Sequence, residues 1–215
     1  MKEAIKLIIA VLILVGKPGL AGEYSHATGE SLLLSINPDM LKELMTQPLA
    51  AHDELLDLVD RNDQVVMTVP RSYVIEQHLR NFRLICCLLK NDNGELFIVR
   101  RAASKKAYPS ALATVGGCVQ AGETYQDAFA REIKEEIGID VTQVPHVLRG
   151  FANPWDDDTM GFTAFYEIHT NQTPALNKND FDEGFWITPA ELHESIKQGE
   201  KTTHNVPILL AKFYR

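Results

Sequence analysis

The stretch that most constrains this chain lies between two glycines, Gly122 and Gly138. From Thr124 to Glu136 there is no proline or glycine, and Ala, Glu, Lys and Gln dominate, so the segment reads as a helix. Thr124 is placed to cap its start, and Gly138 stands where a left-handed residue ends a helix. At about 100° per residue, Glu132, Glu135 and Glu136 project within one narrow arc, while Ala130, Ile133 and Ile137 form a separate apolar stripe. One side of this helix belongs against a core, and the other gathers three carboxylates.

Like charges at these spacings cost a few tenths of a kcal/mol each on an exposed helix, and Arg131 relieves them only in part. A hard cation supplies the missing counter-charge. All-oxygen ligands suit Mg²⁺ or Mn²⁺, and Mg²⁺ leaves much of its shell to water and substrate phosphates. The bland alternative is a solvated acidic face. The wider pattern displaces it: Gly117, Glu123, Arg131-Glu132, Ile133, Glu135-Glu136, Gly138 and Ile139 fall at fixed intervals. Leaving aside the apolar positions Ile133 and Ile139, the seven fixed identities coincide by chance below about once in 10⁸ starting points at average residue usage.

At every specified position the run Gly117 to Ile139 resembles the Nudix box. The resemblance implies an α/β fold, a Nudix α/β/α sandwich with a mixed sheet. It also implies hydrolysis of a nucleoside diphosphate linked to another moiety, with Mg²⁺ or Mn²⁺ as cofactor. Carried over by position, Glu132, Glu135 and Glu136 are the metal-binding face, with Glu123 contributing through the loop, directly or through water. Arg131 resembles the arginine that orients these glutamates. The general base is either a box glutamate such as Glu135 or a carboxylate from a later loop. Glu183 is the candidate there, because it precedes a W-x-x-P-x-E-L segment, Trp186 to Leu192; its plain alternative is a surface acid before a strand.

The flanks fit a complete domain. Leu84 to Leu89 is apolar enough for a buried strand, and Asn91-Asp92-Asn93-Gly94 turns the chain into Glu95 to Val99 as its hairpin partner. Arg100, Arg101, Lys105 and Lys106 follow, and cations near a polyphosphate are physically sensible. Arg100 and Arg101 are the preferred substrate-binding residues. Val147 to Phe151 and Phe162 to Ile168 read as strands, and Pro189 to Ile196 and Val206 to Tyr214 as closing helices. Between the strands, Trp155 stands before Asp156, Asp157 and Asp158 in a loop that offers a base-stacking ring and further acids, or a plain solvated turn.

The segment from Leu58 to Val66, with Arg71 and the approach to Arg83, resembles the upstream strand of isopentenyl-diphosphate-isomerase-like Nudix proteins. Isomerases of that kind use a cysteine and several histidines. Gly116 occupies the cysteine place here, Cys118 one histidine place and Asn81 another, so hydrolysis within an isomerase-like subgroup is expected, with isomerisation or non-catalytic nucleotide binding as alternatives.

Three divisions follow: residues 1–22 as a signal-like leader, 23–75 as an N-terminal extension and 76–215 as the Nudix domain. Leu7 to Val15 is an unbroken apolar run too short for a confident membrane span. The extension is expected to be helical, from Asn37-Pro38 to Met45 and again from Ala50 to Val59, packing on the core, shielding the pocket or forming a homodimer contact. A net charge of −8 gives no basic footprint for duplex nucleic acid, so a small-molecule nucleotide or diphosphate is the expected partner. Three cysteines without CxxC spacing point to reduced thiols and a cytoplasmic protein, with export through the leader as the alternative.

Overall fold

The computed structural model describes residues 53–214. Within it the chain runs β1 (Leu55–Val59), β2 (Val65–Pro70), α1 (Arg71–Glu76), β3 (Arg83–Lys90), β4 (Leu96–Arg101), β5 (Leu112–Ala113), α2 (Tyr125–Ile137), β6 (His146–Ala152), β7 (Phe162–His169), β8 (Phe181–Ile187), α3 (Pro189–Lys197) and α4 (Asn205–Phe213). The main sheet is ordered β5-β4-β3-β7-β6, with β8 also on β4. It is mixed: β3 and β7 are parallel, while β3–β4, β4–β8 and β6–β7 are antiparallel.

One departure from a regular sheet creates the space for the site. β3 and β4 pair only next to their turn, at Leu89↔Phe97 and Lys90↔Leu96. Asn91 Oδ1 holds that turn by accepting from the Asn93 and Glu95 N–H groups. Beyond it the strands part, and the freed edge of β3 takes up the loop ahead of α2. Ile85 N–H donates to the Gly117 carbonyl at 2.9 Å, Cys87 N–H to Val115 at 2.7 Å, and Val119 N–H returns to Arg83 at 3.0 Å.

Alternating residues of β3 and β4 supply two cores, which is why both strands read as continuous apolar runs. Ile85, Cys87, Leu89, Phe97 and Val99 meet Ala128, Phe129, Ile133 and Ile137 of α2. Cys86, Leu88, Leu96 and Ile98 meet Leu192 of α3 and Val206, Leu209 and Leu210 of α4. The layers are α2, sheet, α3 with α4, the expected α/β/α sandwich. The apolar stripe of α2 is broader than the sequence pattern indicates, because Phe129 joins it, stacked on Tyr166 at 4.0 Å between ring centroids.

The second helix expected in the extension is not formed among the described residues. Leu55–Val59 is a strand, paired antiparallel with β2 from Leu55↔Pro70 to Val59↔Val65. Leu56, Leu58 and Val59 are all buried, so burial on both faces erased the alternation that marks a strand, and the apolar residues fell at spacings that mimic a helix. The expected helix at Asn37–Met45 and the apolar run Leu7–Val15 lie outside the described residues. Among the described residues no helix is long and apolar enough to cross a membrane.

Candidate active site

α2 opens with a capping box. Thr124 accepts from the Asp127 N–H, and the Asp127 carboxylate accepts from the Thr124 N–H. The β1–β2 hairpin steadies this entrance, since Ala121 N–H donates to the Leu55 carbonyl, Gly122 N–H to Asp57 Oδ2, and the Tyr125 hydroxyl to Asp63. The helix ends at Gly138 in the left-handed conformation, φ 71°. Both ends are thereby fixed, and so is the rotation of the acid face.

Arg131 is the hub of that face. Its Nε and Nη2 grip Glu123 at 2.8 and 2.9 Å, Nη2 also donates to the Cys118 carbonyl, and Nη1 donates to Glu132 at 2.7 Å and reaches Glu135 at 3.5 Å. These hydrogen bonds lower the carboxyl pKa of Glu123. Burial raises that of Glu132, against the pull of Arg131. Glu136, buried deepest, is pushed up to about 8 by desolvation although Gly116 N–H donates to its Oε2 at 2.7 Å. Removal from water is thus the main reason that Glu132 and Glu136 resist ionisation.

Glu132, Glu135 and Glu136 line one cavity of about 450 Å³. Arg101, Lys105, Asn177 and Asp180 line it too, as do Glu54 and Arg71 from the hairpin segment. Lys105 is paired with Asp180, and Arg71 Nη1 donates to Glu54 at 2.7 Å. Gly117 is required for this arrangement, because a Cβ there would lie 2.5 Å from Glu132 Oε1. The donor set fits a hard divalent cation: oxygen-only, with Glu132 and Glu136 half-buried and all three opening on one polar cavity. Among the described residues no three of these acids stand together as a ready-made metal cage.

The other candidate residues separate. Glu123 does not line the cavity; it stands behind Arg131, also accepting from Gln120 N–H, and serves as that arginine's anchor. Arg101 faces the glutamates, but Arg100, one residue earlier on the strand, points to the α3 and α4 side, where it pairs with Glu183 at 2.7 Å and Glu200 at 2.9 Å. Glu183 lies inside β8, directly across from Arg100, so the structure does not bring it to the box carboxylates. Trp155 also lies apart, packed edge-on against Phe162 with Arg61 over its ring. Asp156, Asp157 and Asp158 are engaged by Asn153, Lys212 and Arg80. Sequence reasoning missed Glu54, Asn177 and Asp180. Their spacing from the box carries no signal, although Asp180 sits in the same acidic run, Asp180 to Glu183, that drew attention to its neighbour.

The NUDIX domain family model matches residues 80–207, more than half of the chain. A Nudix hydrolase from Nostoc sp. (strain PCC 7120) is 39% identical over 162 residues, covering 75% of this chain and 96% of the relative. A Nudix hydrolase from Deinococcus radiodurans is 36% identical over 166 residues, covering 76% of this chain and 95% of that one. Among solved structures, the crystal structure of DR0079 from the same species superposes with a TM-score of 0.72 at 36% identity, covering 75% of this chain and all (100%) of the other. The sandwich and its acid-faced helix are those of an enzyme of the hydrolase class. The chain belongs to the Nudix family.

Proposed function

We propose that this Nudix hydrolase depends on Mg²⁺ or Mn²⁺ and cleaves the diphosphate bond of a nucleoside diphosphate linked to another moiety. The observation that carries the reading is the opposition of charge across one cavity: Glu132, Glu135 and Glu136 on one wall, Arg101 and Lys105 on another. A bound cation would neutralise phosphate oxygens and lower the pKa of a coordinated water. Glu132 and Glu136 would hold it, with Arg131 keeping Glu132 in place. Arg101 and Lys105 orient the phosphates. Glu135, whose side chain is 59% exposed and only loosely reached by Arg131, would accept the proton of the attacking water. Glu183, tied to Arg100, leaves that role to Glu135.

Within the isomerase-like subgroup that the upstream segment resembles, hydrolysis is favoured over isomerisation. Cys118 lines the cavity, but burial pushes its thiol up to about 11, so it stays protonated near neutrality. The Asn81 amide is spent on the Val59 carbonyl. The test is a panel of dinucleotides, nucleotide sugars, nucleoside triphosphates and isopentenyl diphosphate incubated with Mg²⁺. Phosphate-containing cleavage products from a nucleotide member support the reading; cleavage of none, or isomerisation of isopentenyl diphosphate alone, rejects it.

A further inference from the structure

A second cavity, of about 250 Å³, adjoins the acid-lined one, and the two share Arg71, Arg101, Gly116, Gly117 and Cys118. Its remaining walls are mainly apolar, with Leu56, Val74 and Ile75 from the hairpin segment facing Phe82, Tyr108 and Met160. Ile75 is 63% exposed and Tyr108 40% exposed, so both leave apolar surface in water beside an apolar slot. Tyr108 is held there in a left-handed backbone conformation, φ 51°. Two of the polar side chains nearby, Asn205 and His204, are already engaged. Asn205 Oδ1 accepts from Met160 N–H at 2.9 Å, its Nδ2 donates to Thr163 at 3.4 Å, and His204 Nε2 pairs with the Asp158 carbonyl at 2.6 Å.

At the shared wall two guanidinium groups have donors to spare. Arg71 gives Nη1 to Glu54 and Arg101 gives Nε to the Ala107 carbonyl; their other N–H groups make no hydrogen bond among the described residues. Arg71 lies upstream of residues 80–207 that the family model matches, so this cation comes from outside the matched segment.

We infer that Arg71 and Arg101 together grip the substrate's diphosphate at this shared wall, and that the nucleoside's base lodges in the apolar slot between Ile75 and Tyr108, held by its faces. A slot of this volume falls below the range of about 300–1,000 Å³ usual for drug-sized ligands and accommodates one base, not two. Because the lining offers apolar surface and few unpaired donors or acceptors, the site grips purines and pyrimidines alike. This rests on the reading of the chain as a nucleoside-diphosphate hydrolase.

The experiment is equilibrium binding to the full chain with Mg²⁺, using methylenediphosphonate and the α,β-methylene analogues of ADP, GDP, CDP and UDP. Arg71→Ala, with Arg71→Gln as a second variant, is expected to weaken all five probes about tenfold. Ile75→Asp and Tyr108→Ala are expected to weaken the four nucleotides about tenfold and leave methylenediphosphonate within about twofold. The four bases should bind within about tenfold of one another. The inference is overturned if wild type binds none of the probes, if both Arg71 variants bind normally, if the slot variants weaken methylenediphosphonate equally, or if one base is preferred about a hundredfold. Turnover is not read here: binding without hydrolysis would sink the proposed reaction alone, and hydrolysis with unaltered Arg71 variants would sink this inference alone.

Discussion

Gly117→Ala isolates the geometry of the acid face from its charge. Gly117 has no positive φ, so alanine can adopt its backbone. The added Cβ would lie 2.5 Å from Glu132 Oε1 and 2.6 Å from its Cδ, against ordinary carbon contacts of about 3.5–4.0 Å. The carboxylate, being the end of a flexible side chain, must retreat by about 1 Å. It leaves its 2.7 Å hydrogen bond to Arg131 and its place on the cavity wall. An off-rotamer side chain costs about 1 kcal/mol, which in a protein of this size lowers Tm by about 2–4 °C. A displacement of that size in a catalytic site costs about 10²-fold in kcat/KM. Steady-state kinetics with Mg²⁺ and thermal denaturation read the two effects separately. Gly94→Ala is the control: its φ of 79° strains alanine, but nothing lies within 4 Å of the new atom and the turn is outside the cavity, so stability falls and kcat/KM holds. Activity of Gly117→Ala within about threefold of wild type, or the same kinetic loss in Gly94→Ala, would refute the reasoning.

Neighbouring arginines give a second contrast. Arg101→Ala should raise KM about tenfold or more, whereas Arg100→Ala should leave kcat/KM unchanged and lower stability by about 1 kcal/mol or less through its pairs with Glu183 and Glu200; kinetics and denaturant titration of both variants decide it. The raised pKa of Glu136 sets a pH dependence. With a folded value of about 8 above an unfolded value near 4.3, the folded state holds the proton more tightly. Its stabilising contribution is complete below the unfolded value and is lost as pH rises through the folded one. Tm of the metal-free protein should therefore carry a falling component between about pH 4.3 and pH 8 that Glu136→Gln removes and Mg²⁺ counteracts. Parallel Tm–pH profiles for wild type and variant would contradict it.

Local signals carried α2 completely: its cap at Thr124, its end at Gly138 and its acid face are written in residues close together in sequence. The strands β3, β4, β6 and β7 were legible for the same reason. Contacts between distant segments were not. Whether Arg100 or Arg101 faces the glutamates depends on how β4 is set between two helical layers, and the pairing of Arg100 with Glu183 depends on the β4–β8 register. Neither is encoded in spacing. Leu55–Val59 misled because a strand buried on both faces loses its alternation, and with it went any sight of Glu54 and Arg71 entering the cavity. Glu123 was assigned to metal on its place in the box, but its carboxylate completes the grip on Arg131.

The most direct test of the carboxylate cavity as the seat of diphosphate hydrolysis is a Mg²⁺ titration of turnover, wild type against Glu136→Gln, on whichever nucleoside diphosphate derivative is cleaved. The expected result is saturable activation of wild type, none with chelator present, and a rate at least about 10³-fold lower in the variant. Turnover that survives chelation, or that Glu136→Gln leaves unchanged, would contradict it.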